Sequence, residues 1–206
     1  MRAFSLRGPA MMAFGVLGVM MIATAQLRGG GEAAPVRTVP RVDLARYLGD
    51  WFEIARFPNR FQLRCTGDVR ATYALRADQR IDVINRCATA AGGVTEARGV
   101  ARVVDRQTSA RLKVRFAPAV LSFLPMVWGD YWIIGLADDY SWAVVGSPDR
   151  NYLWVLARAP EMEAAAYGAA LMAARAQGFD VDRLVTTKQT GTLRSRDDGP
   201  RRDENR

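Results

Sequence analysis

The run GDWFEIARF, residues 49–57, decides how the rest of the chain is read. It is a short strand-like segment in which Trp51, Glu53 and Ala55 share one face by period-two alternation. Downstream, segments of the same kind follow one another between turn residues, the pattern of a barrel or sandwich. Val69, Ala71, Tyr73 and Leu75 alternate with Arg70, Thr72, Ala74 and Arg76, and Ile81, Val83 and Asn85 follow the turn Ala77-Asp78-Gln79. A weaker strand covers 93–105. The clearest covers 111–116, with Leu112, Val114 and Phe116 opposed to Arg111, Lys113 and Arg115. Strands at 131–136, 142–146 and 152–158 bring the number to eight, joined by Asp138-Asp139-Tyr140 and Pro148-Asp149-Arg150-Asn151. The expected fold is all-β, an eight-stranded antiparallel up-and-down barrel just wide enough for one small ligand.

After the strands, Pro160 and Glu161 open a helix that Gly178 ends. Its apolar stripe, Met162, Ala165, Ala166, Ala169, Met172 and Ala173, is expected to pack on the outside of the barrel. A short strand over 184–187 would finish the domain. At the other end, Arg2 and Arg7 precede an apolar run over 10–25 that closes on Ala23-Thr24-Ala25. That is the form of an export signal, with an uncleaved membrane anchor as the alternative. The expected organisation is a signal peptide (1–25), a flexible linker (26–36), the barrel domain (37–190) and a disordered charged tail (191–206).

The composition removes much chemistry. The 206 residues include no histidine, so Ser-His-Asp and Cys-His catalysis and His-ligated metals are excluded. Two cysteines are too few for a Cys-only zinc site. The net charge of +8 is spread without a basic stripe or nucleic-acid motif, so a nucleic-acid partner is not expected. Cys65 and Cys87 flank the hairpin 68–85, and export to an oxidising compartment favours a disulfide over two free thiols.

Three segments narrow the barrel to a family. Gly49-Asp50-Trp51 resembles the G-x-W segment that opens a lipocalin, Asp138-Asp139-Tyr140 the family's second motif, and Leu156-Ala157-Arg158 its third. More closely, GDWFEIARF, ATYALRADQRIDVIN and NYLWVLAR resemble the bacterial lipocalins, the group allied to apolipoprotein D and the plant temperature-induced lipocalins. The resemblance covers roughly 42–189. It implies a barrel that binds fatty acids or lysophospholipids in membrane upkeep, with no cofactor and no enzymatic activity. Many bacterial members are outer-membrane lipoproteins. The first cysteine here is Cys65, so an exported protein of the periplasm or outer membrane is expected without an N-terminal lipid anchor.

The faces follow. Trp51 begins the first strand and Arg158 ends the eighth, so a guanidinium over the indole is expected to plug the base, together with Gly49, Asp139 and Tyr140. With Arg158 inward, parity turns Leu156, Trp154 and Tyr152 inward, and Trp51 implies Glu53 and Ala55. Tyr73, Leu75, Val83, Leu112, Val114 and Phe116 are candidates for the remaining wall, which makes an apolar site with a few polar groups. The alternative is that these side chains simply fill the barrel. Arg60, Arg64 or Arg150 would meet a lipid head group at the mouth. The loop 117–129, APAVLSFLPMVWG, carries Phe123, Leu124, Met126 and Trp128. It either dips into a membrane or gates ligand access, or else it folds over the mouth or forms a homodimer contact. A tetrapyrrole site using Tyr73 or Tyr152, and an isomerase using Glu53 or Cys65, are the competing functions.

Overall fold

A computed structural model describes residues 34–191. The expected signal peptide, most of the expected linker and the tail beyond 191 lie outside the described residues. Within them the strands are β1 (Gly49–Arg56), β2 (Cys65–Leu75), β3 (Ile81–Thr89), β4 (Val94–Val103), β5 (Arg111–Arg115), β6 (Gly129–Leu136), β7 (Trp142–Gly146), β8 (Leu153–Ala157) and the two-residue β9 (Val185–Thr186). Helix α1 (Leu44–Tyr47) precedes them, and α2 (Ala164–Ala176) lies between β8 and β9. Each of β2 to β8 pairs antiparallel with its neighbour in sequence, and β1 pairs with both β8 and β2, which closes the barrel. The expected eight-stranded barrel with one outer helix is the fold observed.

One seam is closed differently from the others. β1 meets β2 only over Gly49 to Phe52, opposite Tyr73 to Arg70. Beyond that point β1 pairs with β9, Ala55 opposite Thr186 and Arg56 opposite Val185. The residues after β9 then fill the gap. Asp68 N–H donates to Lys188 O at 2.8 Å, and Gln189 Nε2 donates to Glu53 O at 2.8 Å and Val69 O at 3.2 Å. This approach requires glycine at 67, because a Cβ there would lie 2.6 Å from the Lys188 carbonyl oxygen.

Alternation divides the apolar residues between two cores. The inner one gathers Trp51, Tyr73, Ile81, Val83, Leu112, Ile133, Val145 and Leu156 inside the barrel. The outer one gathers Phe57, Ile134, Val144, Leu153, Val155, Ala170, Ala174 and Phe179 between the sheet and α2. Val36 is buried in the outer core and Ala34 O accepts a bond from the Arg150 guanidinium, so the chain already lies on the body at the end of the expected linker.

Two expectations about faces are corrected. Ala55 does not share the inner face with Trp51 and Glu53 but sits in the outer core. The cause is a bulge: Glu53 opposes Leu156 and Ala55 opposes Val155, so Ile54 is an extra residue on β1. Arg56 is thereby carried to the inner face, opposite Trp154. On α2 the packed face is Ala170 and Ala174 with Tyr167 and Leu171; of the expected stripe, Met162 packs on the same core and Ala173 lies against Gly135, whereas Ala165 and Met172 are exposed. The helix also begins later than Pro160 and Glu161 suggested, at Ala164. Its alanines occur on every side, so their spacing marks no single buried face.

Candidate functional site

The base of the barrel is built around Trp51. Its ring stacks obliquely on Tyr47 at 5.0 Å, its Nε1 donates to Tyr47 O at 2.8 Å, and the Arg158 guanidinium lies 3.8 Å over its centroid. Arg158 is fixed there by donating to Asp50 O at 2.7 Å and to Arg46 O at 2.5 Å. Partial burial pulls its pKa down, and the nearby Tyr47 and Asp50 oppose that. Gly49 has φ +91°, a left-handed conformation beside Arg158 Nη1 that a side chain would strain. Tyr140 accepts from Asp43 N–H at 2.8 Å and carries Arg46 on its face at 4.0 Å, while Asp139 Oδ1 accepts from Ser141 N–H at 2.9 Å. The five residues expected at the base therefore all lie there.

Just inside the base, three phenols share hydrogen bonds: Tyr131 Oη is 2.8 Å from Tyr47 Oη and 3.0 Å from Tyr73 Oη. Burial raises all three pKa values, that of Tyr73 to about 12. Three hydroxyls have three protons to donate and only two bonds among themselves, so one donor remains over for a further acceptor.

From the base upward the inner face changes. Trp51, Ile81, Val83, Leu112, Ile133 and Val145 are buried. Nearer the mouth, inner-face Val114, Trp154 and Tyr152 are half-buried, and Ala97 and Phe116 are exposed. On β4 the inner face carries small residues, Ala97, Gly99 and Ala101 from mouth to base, and the Phe116 ring occupies the space a Cβ on Gly99 would need. A filled lower half under an accessible upper half describes a cup. Of the expected wall, Leu75 is the exception: it opposes Ile81 beside the base hairpin and is half-exposed, away from the mouth.

Glu53 is buried in this cup. Gln62 Nε2 donates to its Oε2 at 2.6 Å and Thr187 Oγ1 to its Oε1 at 2.5 Å, and Arg56 Nε lies 3.2 Å away. Burial pushes its pKa up, against those three partners. Gln62 Oε1 in turn accepts from Trp154 Nε1 at 3.2 Å and from Asn59 Nδ2 at 2.8 Å, which holds the β1–β2 loop inward over the mouth. An aromatic column leads down from that loop, Phe61 to Tyr152 at 5.7 Å and Tyr152 stacked on Trp154 at 5.8 Å. Sequence reasoning missed Gln62, Tyr131 and Arg56. The first lies in a loop, the second was not assigned a face, and the third is turned inward by the bulge.

Other expected residues lie apart. Cys65 and Cys87 are joined by a disulfide, Cα atoms 5.5 Å apart, tying β2 to β3 at the mouth end. Arg150 is not available to a head group at the mouth, because its Nε donates to Gln177 O at 2.7 Å at the end of α2. The loop after β5 does not lie across the mouth. Trp128 is buried against the outer wall between Arg102 at 4.5 Å and Arg115 at 5.3 Å, its Nε1 donating to Ser122 O at 2.8 Å. Leu124 is half-buried, whereas Val120, Phe123 and Met126 are 75%, 75% and 85% exposed. Two 3-10 turns, Ala119–Leu121 and Pro125–Val127, carry Val120 and Met126, with Phe123 between them. Among the described residues no group of three or more metal-ligating side chains gathers.

Comparison with known proteins agrees with this architecture. Residues 42–189 match the lipocalin-like domain. The chain is 38% identical over 164 residues to temperature-induced lipocalin-1 of Arabidopsis thaliana, covering 78% of this chain and 87% of that one. It is 38% identical over 158 residues to the outer membrane lipoprotein Blc of Escherichia coli, covering 76% and 85%. Mouse apolipoprotein D is 29% identical over 158 residues, covering 71% and 77%. Among solved structures, insecticyanin of the tobacco hornworm superposes with a TM-score of 0.60 at 17% identity, covering 77% of this chain and 86% of that one.

Proposed function

The chain belongs to the lipocalin family, and on that premise we propose that it holds an amphipathic lipid, a fatty acid or lysophospholipid, in the mouth half of its barrel. The observation that carries this reading is the graded inner face, filled around Trp51 and accessible from Val114 and Trp154 upward. An acyl chain entering this space loses its hydration, which favours binding by about 0.8 kcal/mol per buried CH₂. Its polar end remains near the mouth, where Arg60 and Arg64 border the loop over Gln62. A carrier or buffer of lipids in the cell envelope follows, a location supported by the Blc relative and by the Cys65–Cys87 disulfide, which suits an oxidising compartment.

Titration of the protein's tryptophan fluorescence with fatty acids and lysophospholipids tests the reading, Trp154 being the indole nearest the expected ligand. Saturable quenching is expected. Its absence with every lipid tried would refute the proposal. Val120, Phe123 and Met126, of which Phe123 lines a groove with Arg102 and Lys113, form the surface we assign to contact with a membrane. Serine at these three positions should weaken sedimentation with anionic vesicles while leaving lipid titrations unchanged; undiminished sedimentation would remove the membrane role alone.

A further inference from the structure

Arg56 is a charged side chain inside the cup that makes one ion pair among the described residues, to Glu53, and no hydrogen bond. Its side chain is 16% exposed, and its strand position opposes Trp154 on the inner face. The nearest anion, Glu53, lies 3.2 Å from Nε, yet Nε is buried without a hydrogen bond. Glu53 is held by other donors, Oε1 by the Thr187 hydroxyl and Oε2 by the Gln62 amide, so the pair with Arg56 is an ionic contact without a hydrogen bond. The Glu53 ion pair is the one polar contact of the Arg56 guanidinium among the described residues, and it is made from Nε, which leaves the Nη edge for another acceptor. A buried Nε without a hydrogen bond is costly, and among the described residues the Nη groups of the same rigid fork have no acceptor. An anion with two coplanar or tetrahedral oxygens is the group that fits this fork.

We propose that Arg56 is the anchor for the anionic end of the ligand, a carboxylate or a phosphate monoester. The inference rests on the lipid-binding reading and adds to it that the ligand's charge is bound within the cup, below the Gln62 loop, and not only at the rim by Arg60 or Arg64. The aromatic pair Tyr152 and Trp154 then flanks the first carbons of the chain, and Glu53 holds the loop in place over the anion through Gln62. Because Glu53 and Arg56 sum to zero charge, an added anion is accommodated by the guanidinium turning its free Nη edge toward it, while the carboxylate keeps its Thr187 and Gln62 partners.

The experiment compares three ligands that share one acyl chain: palmitate, palmitoyl lysophosphatidic acid and monopalmitoylglycerol. Affinities are measured by fluorescence titration on the intact protein and on Arg56→Gln and Arg56→Lys. The native protein should prefer either or both anions to the neutral glyceride by about tenfold or more. The carboxylate and phosphate arms show which anion is the better fit. Arg56→Gln should abolish the preference while glyceride affinity stays within about twofold, and Arg56→Lys, a charge without the fork, should fall between. A native protein that binds all three equally overturns the Arg56 proposal and leaves lipid binding standing. A protein that binds none of them overturns the lipid reading itself. Should Arg56→Gln fail to fold, Arg56→Lys carries the comparison, and an undiminished preference in that variant also overturns the proposal.

Discussion

Arg158 joins a ring contact and two carbonyl bonds in one side chain, so its removal has an outcome that can be stated. Arg158→Ala should lower the unfolding free energy by about 2–4 kcal/mol, read from the urea midpoint. Arg158→Lys should recover less than half of that, because an ammonium cannot serve Asp50 O and Arg46 O from one plane over Trp51. Glu53 has a pH signature instead. Burial raises its folded-state pKa above the ordinary 4.5. Between those two values the native state holds more protons than the unfolded chain, so stability falls as pH rises. The contribution is fully present below about pH 4.5 and is lost as pH passes through the folded value. Melting temperatures of the native protein and Glu53→Gln, taken from pH 4 to 7, should therefore converge at the acid end and separate toward neutrality, with the variant gaining. Parallel curves would show that Glu53 does not titrate in this window. Trp51 and Arg158 were legible from the sequence because each stands at the end of a strand, where parity and barrel closure both apply.

At the level of elements, alternation located every strand of the barrel to within a few residues, and β7 at its observed bounds. It failed where an element departs from its own period. The bulge at Ile54 leaves no mark in the run EIARF, since an apolar residue is acceptable on either face, and the inward Arg56 went unread as a result. Helix α2 failed for the opposite reason, a composition too uniform to show a stripe. The seam beside β9 was equally hidden, because Gly67 reads as an ordinary turn residue until the Lys188 carbonyl is seen against it. Gly67→Val should force the two backbones apart, costing about 1–3 kcal/mol in unfolding free energy. The Asp68 N–H bond to Lys188 O should be lost with it. Faster amide hydrogen exchange around 185–190, with β3 to β7 unaffected, is the expected pattern.

For the whole molecule, the sequence made the barrel plain but not what its interior leaves accessible, which depends on which side chains stop short of the axis. The same half-filled interior gives the ligand a measurable hold on the fold. A ligand that binds only the native barrel, at a hundred times its dissociation constant, should add about 2.7 kcal/mol. For a domain of this size that is roughly 5–10 °C in melting temperature. A scanning fluorimetry series over acyl-chain length should rise and then level off where the chain outgrows the cup. An unchanged melting point with a lipid known from titration to bind would mean that it sits on the surface. The division of each strand between two cores has a consequence beyond this one cargo. On β8, Leu153 and Val155 hold the helix while Trp154 faces the lumen, so adjacent letters of the sequence answer to separate demands. On the proposed lipid-binding reading, changes at Val114, Phe116, Tyr152 and Trp154 should therefore alter ligand preference while the helix-facing residues keep the fold intact. That makes the barrel a chassis on which selection, or a designer, can exchange specificities with little penalty in folding.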